Sequence, residues 1–537
     1  MLPLGEHYGR ICARRQRRGG QVSAGNHPNC ARGSVSGLTV SVGKIGASKF
    51  NCPMKDALNA REGLAPERPV PSGRARMEEF GLEPVMRALD QLEGLPGEYR
   101  PSAAVHEGHV RWAEHAVRHY QQVFAPAEAG VPQLRPLLGR TWKTAWSAEG
   151  QVSKTITAWG RRYASVDGAF CELRPITFRS RDEAKELREL KAQVAAYVIA
   201  RAEPRAKRIR VVDFACLDGD RLVRFDGPPE LAAELYRDKG RKAVTAVVDG
   251  ESHQPGTACG DCRFIASCPA VPEVPGLLGV PGRPIRRRTW SPSTGRNHQA
   301  CPARHHLRDR LHLPIDQVRE HEGPAERGRA VHRALASAHR RQPARRCSPV
   351  PEEGWEPEGL PDSEQELARQ LFAEHAEVCP GVHLPATAEL RPEHDLVVWD
   401  SEADVVVITT PDLLYEEAGS TVWREVKSSR TRRPWRGDPV TKLSQIALAV
   451  LMMRHGVLGT GPGQRIELEV LRPDISEVIP VDPFNESVHE TARTVIRELV
   501  APWHSDDLFP PNPGERCAAC VVARWCPSAM PEARGEA

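Results

Sequence analysis

The hydrophobic positions in the second half of the chain fall into a clear succession of predicted elements. In "GPAERGRAVHRALASAHRR", Val331, Leu335 and Ala338 share one face of a predicted helix. "DLVVWDSEADVVVITTPDLLYEE" predicts two strands joined by a turn, and "TVWREVK" predicts a third. "DPVTKLSQIALAVLMMRHG" predicts a helix that stops at Gly456, and "QRIELEVLRPD" a further strand. Helix, strands, helix, strand is an α/β order.

One strand carries a puzzle. In "TVWREVKSSR", Glu425 and Lys427 are two residues apart, so they point to the same side of a largely apolar run. Taken singly, the polar residues here have ordinary readings. Glu425 and Lys427 are a partly exposed ion pair of little worth, and Asp412 after Pro411 is a turn residue. His332 and Gln445 are solvated helix positions. Only their joint order asks for more.

Length and composition set the frame. At 537 residues the chain predicts two to four domains. Apolar content of 40% and charged content of 27% are those of an ordinary globular protein. No run approaches ~18 apolar residues, so no membrane span is expected. The N-terminus lacks the apolar core of a signal peptide, which points to a cytoplasmic location. Residues 1–76 hold 13 Lys/Arg against 4 Asp/Glu, a net of +9, which leaves −5 on the rest of the chain. This Arg/Gly/Ser-rich leader is expected to be disordered, and Met77 in "MEEFGLEPV" looks like a natural chain start. The Pro/Gly-rich stretch "PAVPEVPGLLGVPGRPIRRR" divides the chain, with a linker expected over 271–289. The expected domains are therefore 77–270 and 290–530, followed by a tail over 531–537.

Fourteen cysteines add a second signal. "CGDCRFIASCP" and "CAACVVARWCP" repeat one C-x2-C-x5-C-P pattern, as Cys259, Cys262, Cys268 and as Cys517, Cys520, Cys526. Each triplet closes one half of the chain. Clustered thiols in a reducing compartment bind metal more often than they form disulfides. Three ligands are one short of a closed site, so each triplet needs a distant fourth. Cys347 and Cys379 stand outside both patterns and read as buried cysteines without a ligand.

These motifs together resemble the PD-(D/E)XK nucleases. "TTPDLLY", then "REVK", then a helix carrying Gln445 is similar to that superfamily's core. "WSPSTGRNHQACPARHHL" and "GRAVHRAL" resemble the Ser-x-Ser…Cys-Pro and Gly-x-x-Val-His motifs of the RecB-like branch, which includes CRISPR-associated and helicase-linked exonucleases. The resemblance spans residues 290 to 530. It implies a restriction-endonuclease-like mixed sheet flanked by helices, and a nuclease acting on DNA with single-stranded or free ends. A helicase or defence-system partner is also implied. Asp412 and Glu425, with the Val426 carbonyl and His332, are then expected to hold Mg²⁺ or Mn²⁺. Lys427 is expected to orient the attacking water, and Gln445 to position substrate. Where such enzymes often carry Gln-x-x-x-Tyr, this helix has Ala449. Glu389 is an additional candidate acid. The branch's iron–sulfur variant implies a 4Fe–4S cluster on Cys301, Cys517, Cys520 and Cys526, with zinc as the alternative. The competing reading is a noncatalytic DNA-binding or scaffold subunit, which would not need the Asp412/Glu425/Lys427 set.

The first half looks like a degenerate duplicate. Shifting "VVVITTPDLLYEEAGSTVWREVK" by 253 positions lays Glu425 on Glu172, Lys427 on Arg174 and Asp412 on Trp159. "QVAAY" then supplies Gln193 and Tyr197 in the Gln-x-x-x-Tyr spacing. Such a copy predicts a decayed metal site, because guanidinium does not deprotonate. Cys171 or Cys216 is the candidate fourth ligand for a second cluster on Cys259, Cys262 and Cys268.

Overall fold

The computed structural model describes residues 37–46, 51–61, 64, 80–96, 106–125, 128–146, 153–179, 183–283, 287–316, 324–341, 346–349, 355 and 360–534. Met77 and residues 1–36 lie outside that set. The chain builds two α/β units in succession.

In the first unit, β1 (Gly37–Ser41) leads to α1 (Pro53–Asn59), α2 (Glu83–Leu92) and α3 (Glu107–Phe124). The strands β2 (Arg135–Pro136), β3 (Thr141–Trp146), β4 (Ser153–Trp159), β5 (Arg161–Ala164), β6 (Phe170–Arg174) and β7 (Ile176–Thr177) follow. The helix α4 (Lys185–Ala202) then crosses to β8 (Arg208–Ala215) and β9 (Asp220–Gly227). The second unit opens with β10 (Arg288–Trp290) and the helices α5 (Pro292–Ala300), α6 (Pro302–His305), α7 (Pro324–His339) and α8 (Asp362–Val378). Its strands are β11 (Leu390–Pro392), β12 (Leu396–Asp400), β13 (Val405–Thr409), β14 (Leu413–Glu417) and β15 (Ser420–Ser428). The helix α9 (Ser444–Arg454) crosses to β16 (Arg465–Arg472) and β17 (Ile475–Val481), and α10 (Glu486–Ser505) closes the layer.

Both units wire their strands the same way. Each has a small sheet, β1-β4-β3 or β10-β13-β12, whose first pair is parallel and second antiparallel. Each has a larger sheet, β11-β14-β15-β16-β17 in the second unit and β2-β5-β6-β8-β9 in the first, where the two-residue β7 also pairs parallel to β8. In both larger sheets the pairings run antiparallel, antiparallel, parallel, antiparallel. The parallel pair needs a crossover, and α4 or α9 supplies it. The α/β expectation holds, with mixed sheets flanked by helices.

Packing explains the sequence of the second unit. β15 is buried on both faces, which is why Val422, Trp423 and Val426 alternate with charged residues that must find partners inside. Val426 faces Val331 and Leu335 of α7 and Phe372 of α8. Trp423 faces the other way, toward α9 and α10. Ile446 through Met453 of α9 are all buried, so this helix is apolar around its whole circumference. Gly295 lets α5 approach closely: a Cβ there would stand 3.0 Å from Leu499 Cβ and 3.3 Å from the Trp290 ring.

Two expectations are corrected. The leader is not wholly disordered, because β1 pairs along its length with β4 and Val40, Val42 and Ile45 enter the first unit's core. A short apolar run suffices to complete a sheet edge even inside a basic, Gly/Ser-rich stretch. The stretch 271–283 is no solvated tether either. Val274, Leu277, Leu278 and Val280 join the second unit's core, and the backbone N–H groups of Gly276 and Leu278 donate to the fully buried Asp400 carboxylate at 3.0 and 2.8 Å. Among the described residues, no helix is long and apolar enough to cross a membrane.

Candidate active site and metal centres

Asp412 sits where the chain leaves the small sheet and enters the large one, between β13 and β14. Its Oδ2 accepts the Val426 backbone N–H at 2.7 Å, and its Oδ1 lies 2.7 Å from His332 Nδ1 on α7. The β14–β15 register pairs Leu413 with Arg424, so its next step sets Asp412 beside Glu425. Glu425 Oε1 accepts the Trp423 indole N–H at 3.0 Å, while Oε2 receives the Lys427 ammonium at 3.2 Å. Lys427 Nζ also donates to the Val426 carbonyl at 3.1 Å and stands 3.8 Å from Asp412 Oδ2. The structure thus brings Asp412, Glu425, Val426, Lys427 and His332 to one place.

Two carboxylates forced together in a dry site cannot both ionise freely. Burial and then the Asp412 charge push Glu425 up to about 7. Burial works against Asp412 as well, yet His332 and Lys427 hold it below the usual carboxylate range. Burial opposes the charge on Lys427, and Glu425 and Asp412 more than restore it. Burial opposes the charge on His332 too, and Asp412 raises it. Two carboxyl groups with the hard Val426 carbonyl oxygen beside them are an oxygen-rich donor set. It fits a divalent cation.

Gln445 at the start of α9 reaches this cluster through an intermediary. Its Oε1 accepts from Arg296 of α5 at 3.0 Å, and Arg296 also donates to Ser444 Oγ at 2.6 Å. Burial lowers Arg296 while Glu425 opposes that shift, and the Arg296 charge in turn acts to lower Lys427. Sequence reasoning passed over Arg296, although it lies inside the quoted "WSPSTGRNHQACP" segment. Ala449, where a tyrosine was looked for, is buried in the core. Glu389 is exposed, and Glu393 instead lines the cavity beside His332 and Asp412.

In the first unit, the shift by 253 positions proves one residue out of register. Cys171 and Leu173 pack with α4, as Trp423 packs with α9. Glu172 and Arg174 turn to the other face, where Arg174 donates to Tyr120 Oη of α3 at 2.6 Å. A one-residue slip exchanges the two faces of a strand. By pairing, Glu172 opposite Arg210 answers to Arg424 opposite Glu467, and both are buried ion pairs of inverted polarity. Leu173 opposite Arg162 then occupies the place of Glu425 beside Asp412. Trp159 does not. Tyr197 of "QVAAY" stacks on Tyr236, with ring centroids 3.8 Å apart.

The cysteine triplets are folded alike. Cys517 and Cys259 each donate their backbone N–H to a glycine carbonyl at 2.9 Å, Gly514 and Gly256, and the next cysteine closes a turn onto the first. Cys301, at the N-terminus of α6, lies within electrostatic reach of Cys520 and Cys526, and Cys517 of Cys526. Cys171 and Cys216, the candidates for the first triplet, pack in the first unit's apolar cores. The cysteine within electrostatic reach of Cys259, Cys262 and Cys268 is Cys52, at the N-terminus of α1. "NCP" before α1 and "ACP" before α6 are matching signals, which the disordered reading of the leader concealed. Burial, then neighbouring thiols, push Cys259, Cys262, Cys268, Cys520 and Cys526 up. None of the eight is in a disulfide. Thiols of this kind are the ligand type a soft metal centre takes.

Each cysteine loop packs against the opposite unit. Cys259 and Ile265 join Val397 and Val406 of the second unit, and Val521, Val522 and Trp525 join Trp112 and Met86 of the first.

Residues 289–527 match the family model described as PD-(D/E)XK nuclease superfamily. The mixed, helix-flanked sheet is consistent with the restriction-endonuclease-like fold of that superfamily. No curated protein matches the chain. Among solved structures, one titled "Crystal structure of SSO0001" matches at 13% identity, covering 49% of this chain and 94% of that one, with a TM-score of 0.18.

Proposed function

We propose, from the PD-(D/E)XK nuclease superfamily domain at residues 289–527, that this chain is a divalent-metal-dependent deoxyribonuclease of RecB-like type, acting on single-stranded ends or flaps. The observation that carries this reading is the convergence of Asp412, Glu425 and Lys427 around the Val426 carbonyl.

Mg²⁺ or Mn²⁺, when bound, neutralises the scissile phosphate and makes water a stronger nucleophile. Asp412 and Glu425 would hold the ion, with the Val426 carbonyl and His332 as further ligands. Asp412 is preset for this by the Val426 N–H and the His332 ring, so little reorganisation is needed. Lys427 stands against Glu425 Oε2, where its ammonium orients the attacking water. Trp423 fixes the other oxygen of Glu425. Arg296, braced by Gln445 and Ser444, offers a guanidinium to the DNA backbone.

The iron–sulfur assignment follows the same family likeness. Cys301, Cys517, Cys520 and Cys526 form one 4Fe–4S set, with zinc as the alternative occupant. Cys52, Cys259, Cys262 and Cys268 form a second. The shared strand order supports duplication of one ancestral unit, and Arg162 and Leu173 support loss of the metal site in the first. That unit then serves as a noncatalytic platform for nucleic acid or a partner.

The test is cleavage of end-labelled DNA with Mn²⁺ by the full chain and by Asp412→Ala. Cleavage lost in the variant supports the site, and cleavage unchanged rejects it. Brown, iron-containing protein from an anaerobic preparation supports the clusters, whereas colourless zinc-loaded protein rejects iron.

A further inference from the structure

A third thiol-bearing site lies outside the nuclease site and both four-cysteine sets. His339 ends α7, His375 and Cys379 stand one turn apart at the end of α8, and Cys347 comes from the segment between these helices. All four are buried, and one ligand atom from each lies within 4.8 Å of the others. His375 Nε2 and His339 Nε2 are 3.1 Å apart, and Cys379 Sγ is 3.8 Å from His339 Nε2. Tetrahedral zinc, with nitrogens at about 2.0–2.1 Å and sulfurs at about 2.3 Å, spaces its ligands roughly 3.3–3.6 Å apart. The side chains already stand at such an edge length.

The surrounding shell fits as well. His375 Nδ1 is 2.6 Å from the fully buried carboxylate of Glu469, which also accepts from Arg424 at 3.1 Å. A carboxylate on the far nitrogen fixes the tautomer and turns Nε2 toward a metal, as in carboxylate–histidine–zinc arrangements. The Cys347 backbone N–H donates to Cys379 Sγ at 3.4 Å, the kind of contact that steadies a thiolate. Neither cysteine is in a disulfide. The 3.1 Å separation of the two Nε2 atoms suits either one N–H···N hydrogen bond or a cation shared by both rings.

We infer that His339, Cys347, His375 and Cys379 bind one structural Zn²⁺. Four protein ligands close the coordination sphere, so the ion holds structure and has no open position for substrate. The mixed nitrogen and sulfur set separates it from the all-cysteine centres. Its leverage is on the nuclease site, because His332 precedes His339 by seven residues on α7 and so shares its face. Clamping the end of α7 to the end of α8 fixes the helix that sets His332 against Asp412. One cavity, lined by His339, His375 and Glu469 on one side and by His332 and Asp412 on the other, joins the two sites.

The experiment is elemental analysis of the full chain purified from zinc-supplemented medium. Wild type should carry one zinc per chain more than Cys347→Ser/Cys379→Ser, and His375→Ala should match the double variant. Equal zinc in wild type and double variant overturns the inference. Should these variants fail to fold, zinc-edge X-ray absorption on Asp412→Ala protein decides, since its nuclease site has lost a carboxylate and the four-cysteine sets contain no imidazole. Scattering from paired imidazoles with sulfur supports the site, and sulfur alone overturns it. Neither readout depends on DNA cleavage, so the outcome stands apart from the nuclease reading.

Discussion

The two units solve one packing problem with opposite electrostatics. In the second, the face of the sheet under α9 carries Asp412, Glu425 and Lys427, and the opposite face carries the Arg424–Glu467 and Arg424–Glu469 pairs. In the first, the face under α4 carries Arg162 and Leu173, and the opposite face carries Glu172 between Arg174 and Arg210. The first unit carries buried ion pairs on the corresponding face, and has Arg162 and Leu173 where the second has Asp412 and Glu425. A buried charge without compensation is costly. Two acids packed together in a dry site call for compensating cations, whereas Arg162 and Leu173 at the paired positions do not. A cavity of about 330 Å³ lies under α4 in the first unit, and Arg188 and Lys191 on its walls are paired with Asp213 and Glu183.

The sharpest way to break this comparison is to remove one side chain at matching positions. Asp412→Ala should lower Mn²⁺-dependent cleavage by on the order of a thousandfold, since a charge-stabilising contact of several kcal/mol is lost at tenfold per 1.4 kcal/mol. Arg162→Ala, at the paired position, should leave cleavage unchanged. Comparable losses in both would show that the first unit contributes to chemistry.

The opposite faces give the next contrast. Glu172→Gln leaves Arg174 and Arg210 facing each other at a fully buried position, and should destabilise the chain by about 3–5 kcal/mol in denaturant unfolding. Replacing Glu172, Arg174 and Arg210 together with methionine should cost far less, because no buried charge is then left facing Glu172's place without a partner. Equal costs would mean that shape, rather than charge, sustains this face.

The cysteine sets provide a third contrast. Cys52→Ser and Cys301→Ser should each remove one centre, about half of the cluster metal, and the double variant should lose both. If Cys52→Ser leaves the metal content intact, the first triplet takes no ligand from the leader.

What the sequence disclosed follows the physics of each signal. The second unit's elements were legible because β15 and α9 are long, apolar and bounded by Gly456, and because the nuclease residues fall in one order. Arg296 was not legible, because an exposed arginine on a short helix has no spacing that marks it; only its bond to Gln445 does. Cys52 was hidden by averaging composition over 76 residues, although a five-residue strand and a Cys-Pro helix start lie within them. The one-residue slip arose because Glu172 and Arg174 copy the letters of Glu425 and Lys427 while facing the other way. Letters at a spacing of two fix a common face, but only packing says which one. Cys347 and His339 were unreadable as a set, because their ligand atoms meet only after α7 and α8 fold together.

The smallest expected effect tests the seam between the units. His115 on α3 lies 3.1 Å from the Leu217 carbonyl through Nε2, and its Nδ1 lies 3.0 Å from the Arg524 guanidinium of the second unit. Only a neutral ring both donates to the carbonyl and accepts from the guanidinium. Burial, with Arg524, His119 and Arg118 nearby, lowers His115 to about 4. Burial, with His106, Arg310, His305 and His109, lowers His306 to about 3 on the other side of the seam. Both values are depressed below the unfolded histidine value of about 6.5. The unfolded chain therefore binds more protons in this window, and stability rises with pH across it. The contribution is complete above about pH 6.5 and is lost as pH falls toward 4. Wild type should lose stability steadily between neutral and mildly acidic buffer in chemical denaturation. His115→Gln should show a shallower slope, because its amide donates and accepts without titrating. An identical slope in that variant would place the acid sensitivity elsewhere than the contact between α3 and Arg524.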